Sequence, residues 1–196
     1  MFFTEDKELR KYEYLMRGVP NFRPRGHDVV IVCGYRYIPI CETREQLLIW
    51  ATQNIRHPEF RMRLNNYINE RRGSIMDFID KNHKGAFEEI IGRINRDNYR
   101  LLAAVYLLSA NSVLQRTARL HIRKNDITFR NIHTKYLDDE GYTLLCAAKD
   151  MLLGTRYLCI SDLSDEILIN NNMFALICNA LAIRRFGLTA IRNGRE

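Results

Sequence analysis

The period of apolar and polar positions in this chain changes near Thr43. Before it, Asp28-Val-Val-Ile-Val-Cys33 is a continuous, mostly β-branched run, and Tyr35-Arg-Tyr-Ile-Pro-Ile40 follows the turn residue Gly34. Together they predict a β-hairpin whose second strand is an edge, because Pro39 has no amide proton to give to a ladder. Two strands alone are marginally stable, so this hairpin has to lie on helices or pair with another segment. Further upstream, Thr4 is placed to cap a short helix reaching Arg17, with Leu9, Tyr12, Leu15 and Met16 on one side. Gly18, Pro20, Pro24 and Gly26 read as a linker.

From Thr43 onward the apolar residues recur at helical spacing. Thr43-Arg-Glu-Gln46 fits a capping box for a helix reaching Asn54. Pro58 suits the first turn of the next helix, whose Phe60, Leu64, Tyr67 and Ile68 form one apolar face ending near Gly73. Ser74-Ile-Met-Asp77 reads as another start, ended by Gly85, with Phe87, Ile90, Ile91 and Ile94 at helical spacing beyond it. Asp97 is placed to cap residues 101–108, which are apolar nearly all round and are therefore expected to form the buried central helix. Ser109-Ala-Asn-Ser112 interrupts it before a helix reaching Ile122. Lys124-Asn-Asp126 is then a turn and Ile127-Thr-Phe129 a short strand. A helix after Asp138 or Asp139 turns Leu144, Leu145, Ala148, Met151 and Leu152 inward and stops at Gly154. Asn170-Asn-Asn172 opens the last helix, with Phe174, Ile177, Leu181 and Ala182 inward and Gly187 at its end. The expected fold is mainly α: a compact multi-helix bundle with a small N-terminal β-hairpin. Residues 1–41 would hold the first helix and hairpin, and residues 42–196 the helical domain, in one continuous globule.

Composition narrows the class. A chain of 196 residues with 46% hydrophobic and 27% charged content can bury a sizeable core, which excludes a disordered chain. The five cysteines are scattered, without a C-x-x-C, and this excludes a disulfide scaffold and points to a reducing cytoplasm. The start, Met1-Phe-Phe-Thr-Glu-Asp6, has no basic region before an apolar run and so does not read as a signal peptide. The longest apolar stretch, residues 101–110, is shorter than the roughly 20 residues of a membrane span, so no membrane partner is expected.

Charge changes the picture more. Of 30 basic residues 23 are arginine, and between residues 42 and 130 bases outnumber acids 16 to 10. Arginine grips phosphate and carboxylate through a planar, multi-donor fork. Arg116, Arg119 and Arg123 stand at i, i+3 and i+7, one stripe of a helix, with Lys124 next. Arg93, Arg96 and Arg100 repeat the spacing, but a helix start at Asp97 breaks their stripe. Arg56, Arg61, Arg63, Arg71 and Arg72 are interleaved with Phe60 and Tyr67, a mixture that suits contacts to nucleic-acid backbone and bases. A solvated helix face explains any single stripe as well. Residues 138–166 carry seven acids against Lys149 and Arg156. They would neutralise the basic helices within the fold or across a homodimer, form a surface for a basic partner, or simply favour the start of a helix.

Other chemistry is thinner. Residues 46–68 place two helices around a tight connection, as in a helix-turn-helix, but without the usual glycine in the turn. His27, Cys33, Cys41 and His57 match no zinc spacing. Asp77, Asp80 and His83 can share a helix face, but a solvated face accounts for them too. No phosphate loop, nucleophile elbow or zinc-protease motif is present, so no catalytic, cofactor or metal-binding residue is assigned.

Three stretches carry a resemblance: Leu102-Ala-Ala-Val-Tyr-Leu-Leu108, the turn Asn125-Asp126-Ile127, and Ala147-Ala-Lys-Asp-Met-Leu-Leu-Gly154. With the style of the opening residues 3–15, these are similar to an uncharacterised family of short bacterial proteins often carried on mobile elements. That family brings no known activity or site residues.

The expectation is a cytoplasmic, non-enzymatic regulatory protein that binds nucleic acid or a nucleoprotein complex. Arg116, Arg119, Arg123 and Lys124 would be its main contacts, with Arg61, Arg63, Arg71 and Arg72 secondary. A second reading is a mobile-element or phage-type inhibitor or adaptor whose basic surface occupies a groove in a host nuclease or CRISPR-like defence complex. An enzyme ranks third.

Overall fold

The structure is a computed structural model, and it describes residues 22–25, 29–32, 43–70 and 78–191. The chain divides into two compact units, Met1–Pro39 and Ile40–Glu196.

In the first unit, β1 (Phe22–Arg25) pairs antiparallel with β2 (Val29–Val32), Phe22 opposite Val32 and Arg25 opposite Val29. The expected hairpin is thus not supported. The β-branched run is a strand, but it pairs backward onto a stretch read as linker. Its expected partner, residues 35–40, and the expected helix at 4–17 lie outside the described residues. Pro24 is tolerated in β1 because a two-stranded ribbon has a free outer edge.

The second unit is mainly helical. Its α-helices are α1 (Arg44–Ala51), α2 (Pro58–Glu70), α3 (Lys81–Ile91), α4 (Tyr99–Ser109), α5 (Ser112–Ala118), α6 (Asp139–Leu153), α7 (Ile160–Ser164) and α8 (Asn171–Phe186). Every residue of α4 from Leu101 to Ser109 is buried, as its lack of a polar face requires. It packs against α3, α6 and α8, while α1 lies on α8 and α2 on α7.

Helix boundaries follow the capping chemistry. Thr43 and Gln46 form the expected capping box. Asn98 caps α4 in place of Asp97, its side chain accepting from the Leu101 amide at 3.1 Å. Asn111 caps α5, Asp138 caps α6 and Asn170 caps α8. Gly154 ends α6 at φ +73°, a conformation that costs a residue with a Cβ dearly. Gly187 ends α8 at φ +67°, and a Cβ there would lie 2.4 Å from the Tyr99 ring. Gly85, in contrast, does not stop a helix. It sits within α3, where the burial of His83, Phe87 and Ile90 outweighs the roughly 1 kcal/mol that a mid-helix glycine costs. This helix is capped by Asp80, whose carboxylate accepts from the His83 amide at 2.7 Å, while the expected start at residues 74–77 lies outside the described residues.

Residues 171–190, α8 and the turn after it, are long and apolar enough to cross a membrane by length and composition, with a mean hydropathy of 1.3. The stretch at 101–110 is therefore not the best such candidate. In this fold 67% of that window is buried against neighbouring helices.

His83 is the most consequential buried polar group. It is 2% exposed, among the rings of Phe78, Phe87 and Tyr106. The Ile79 amide donates to its Nδ1 at 3.3 Å, so Nε2 carries the proton and donates to the Tyr106 carbonyl at 2.9 Å. That carbonyl belongs to the last turn of α4, where the Ala110 amide bonds Leu107 instead. His83 therefore caps α4 from the side.

Burial pushes the His83 pKa down to about 4, although the Tyr106 carbonyl and Asp80 favour the charged ring. Unfolded, the imidazole takes a proton near pH 6.5. Between those values the unfolded chain binds more protons, so the stabilisation is complete above about pH 6.5 and falls as pH drops toward 4. Urea unfolding at about pH 7 and about pH 4.5 should differ by about 2–3 kcal/mol more in the parent than in His83→Gln. Equal differences in the two proteins would refute the buried neutral imidazole.

Candidate nucleic-acid interface

Arginine serves two purposes in the helical unit: some guanidiniums bond backbone carbonyls and others face outward. Arg63 is 4% exposed. Its guanidinium donates to the carbonyls of Leu163 at 2.8 Å, Asp165 at 3.1 Å and Ile169, and to Asn171 Oδ1 at 3.1 Å. It also lies 4.4 Å from the centroid of the Phe174 ring. One side chain thereby ties α2 to the end of α7 and the start of α8. Burial pushes its pKa down, opposed by Glu166, Cys178 and Asp165, but a guanidinium keeps its charge at any physiological pH.

Arg61 is half-buried and donates to the carbonyls of Ile55 and Thr52, each at 2.8 Å, closing the loop after α1. Arg44 reaches the Ala190 carbonyl and Arg185 the Trp50 carbonyl. These four guanidiniums satisfy backbone oxygens at the ends of elements.

Arg63 is therefore corrected from a secondary anion contact to an internal tether, and Arg61 is engaged in the same way. Arg71 and Arg72 lie outside the described residues. Phe60 and Tyr67 are buried in the core and are not available to stack on bases. The helix-turn-helix reading fails for a related reason: α2, its second helix, turns Arg61 and Arg63 inward rather than toward a groove.

The stripe of Arg116, Arg119 and Arg123 is not one helical face. The helix α5 stops at Ala118, residues 119–121 form a turn of 3-10 helix, and Ile122 is already extended, bridging to Ile127. Arg123 and Lys124 sit exposed at the tip of that small loop, which closes through the Arg123 amide to the Asp126 carbonyl at 2.7 Å. Arg116 is exposed on α5, and among the described residues no carboxylate pairs with it.

Tertiary contacts rebuild a basic surface differently. Glu89 on α3 accepts a hydrogen bond from Arg119 and forms an ion pair with Arg93 at 3.7 Å. The Asn95 amide donates to the Lys124 carbonyl at 2.7 Å, and Asn98 Nδ2 to the Asn125 carbonyl at 3.2 Å. Segment 89–98 thus runs beside segment 119–125. These two adjacent segments carry Arg93, Arg96, Arg119, Arg123 and Lys124, with Glu89 and Asp97 the carboxylates on them and Asp126 just beyond; Arg96 Nε also donates to the Ile91 carbonyl at 3.2 Å. Helical spacing groups Arg93 and Arg96 with Arg100, but it could not show that they lie beside segment 119–125, which tertiary contacts bring to them.

The acids of 138–166 mostly serve backbone amides. Asp138 accepts from Gly141 at 2.8 Å, Asp162 from Cys159 at 2.8 Å and Asp165 from Ile167 at 2.8 Å. Asp150 takes the Tyr157 and Leu158 amides at 3.0 and 2.9 Å. As for metals, His57 Nδ1 lies 3.3 Å from the Ser164 hydroxyl, while His27, Cys33 and Cys41 are outside the described residues. Among the described residues no three His, Cys, Asp or Glu side chains gather as a ligand set. No protein-family model, curated protein or solved structure matches this chain.

The partition of arginines is open to test through Arg63. Arg63→Ala leaves three buried carbonyls without their donor and should lower the unfolding free energy by about 3 kcal/mol or more. Arg63→Lys should recover only part, because one ammonium cannot span the same acceptors. An alanine variant as stable as the parent would contradict the tether.

Proposed function

We propose that this chain is a non-enzymatic binding protein that docks on the phosphate backbone of nucleic acid or of a nucleoprotein. Its contacts are Arg93, Arg96, Arg119, Arg123 and Lys124, with Arg116 beside them. The observation that carries this reading is the convergence of two arginine groups, distant in sequence, on one exposed surface where a single carboxylate, Glu89, stands between Arg93 and Arg119. Phosphates entering there compete with Glu89 for both guanidiniums and release counterions as they bind. The exposed tyrosines Tyr136, Tyr142 and Tyr157 belong to other segments. The surface therefore offers charge without stacking, which favours backbone contacts over base readout.

One observation favours the second reading, a mobile-element inhibitor or adaptor acting on a host defence protein. Leu120, between Arg119 and Arg123, is 78% exposed. An apolar side chain amid cations suits a protein groove that pairs acidic walls with an apolar slot.

The test is the mobility of single- and double-stranded oligonucleotides at about 50 and about 200 mM salt. Changing Arg119, Arg123 and Lys124 together to Glu should abolish binding at the higher salt. Single neutral substitutions at these positions should each flatten the salt slope by about one unit, one for every phosphate that is no longer neutralised. Glu89→Gln should tighten binding by freeing two guanidiniums. Leu120→Ala should leave oligonucleotide affinity unchanged. A parent that binds neither oligonucleotide at low salt overturns the nucleic-acid reading, and a protein partner that no longer binds the Leu120→Ala variant would then support the second.

A further inference from the structure

Among the described residues, four arginines are buried or half-buried: Arg44, Arg61, Arg63 and Arg184. The first three bond backbone carbonyls. Arg184, in the last turn of α8, has neither a hydrogen bond nor an ion pair. Burial lowers its pKa, and so does the nearby positive charge of Arg100 at the start of α4. A partly desolvated guanidinium near a second cation has no counter-ion among the described residues.

Arg184 borders a cleft of about 290 Å³ between the end of α6, the 154–158 loop and α8. Met151, Leu158, Leu163, Ile177 and Leu181 make most of its wall apolar, and the exposed Arg156 also lines it, with no carboxylate partner among the described residues. Asp150 also lines the cleft, but the Thr155 hydroxyl and the amides of Tyr157 and Leu158 hold its two oxygens at 2.7, 3.0 and 2.9 Å. It is a fixed negative charge that repels a second anionic group on any ligand.

We propose that this cleft binds a small monoanionic amphiphile, one carboxylate on an apolar body, with the carboxylate on Arg184 and the body against Met151, Ile177 and Leu181. The arrangement matches the general form of a ligand pocket, mostly apolar with a few placed polar groups. The carboxylate gives Arg184 the bidentate partner that the fold does not supply. Asp150 makes a polyanion a poor occupant, so this site is separate from the basic surface at Arg119 to Lys124.

Calorimetric titration with octanoate, 1-octanol and octylamine tests it on the whole chain. Octanoate should bind, octanol at least about tenfold more weakly, and octylamine not at all. Arg184→Gln should weaken octanoate about tenfold or more and leave octanol unchanged, while Arg184→Lys restores part of the loss. Because Arg184 makes no bond in the fold, the Gln variant should melt no earlier than the parent. Methyl resonances of Met151 and Ile177 should shift on adding octanoate. The proposal is overturned if octanol binds as tightly as octanoate, if Arg184→Gln leaves octanoate affinity unchanged, or if octanoate gives neither heat nor methyl shifts.

Discussion

Backbone satisfaction at helix ends is the constraint on which this structure depends. Eight short helices among the described residues bring many terminal amides and carbonyls into a bundle that leaves little water to bond them. The chain answers with side-chain acceptors at helix starts and side-chain donors at helix ends. Carboxylates and asparagines, such as Asp80, Asn98, Asn111, Asp138 and Asn170, take the amides that open helices. Guanidiniums and one imidazole take carbonyls at or beyond helix ends, as Arg61 does after α1, Arg63 at α7 and His83 at α4. Much of the charge in the sequence is thus directed at the backbone rather than at other side chains or at a partner.

This division explains which parts of the fold are legible in the sequence. The capping box at Thr43, the central helix at 101–108, the interruption before Ser112 and the stops at Gly154 and Gly187 rest on local chemistry, and local chemistry is written in order along the chain. The helix α7 escapes because five residues are too few to show a period. Gly85 misleads because a break signal yields to burial on either side of it. The pairing of β2 is hidden because Pro24 and its neighbours look like linker until a partner strand is known.

The candidate surface is half legible, for a physical reason. Any periodicity argument counts arginine as polar and points it outward, yet its aliphatic stem and planar fork let it cross a core and bond several oxygens at once. Arg63 and Arg61 turn inward on that account. Arg93 and Arg96, whose stripe a helix start breaks, join the basic surface through Glu89 and the bond from Asn95 to Lys124. Arg184 differs from both groups: it is half-buried like Arg61, yet among the described residues it has neither a hydrogen bond nor an ion pair. Its position beside an apolar cleft makes it a separate locus, with a different charge environment from the basic surface.

The central claim is that some guanidiniums, Arg63 foremost, are held by backbone carbonyls inside the fold while others on the surface are open to a ligand. Phenylglyoxal footprinting read by mass spectrometry, with and without a heparin-like polyanion, tests it most directly. The account predicts rapid labelling of Arg116, Arg123 and Arg156 in the free protein, near-complete protection of Arg63, and polyanion protection confined to Arg93, Arg96, Arg116, Arg119 and Arg123. Labelling of Arg63 at the rate of Arg116, or polyanion protection spread evenly over all exposed arginines, would contradict it.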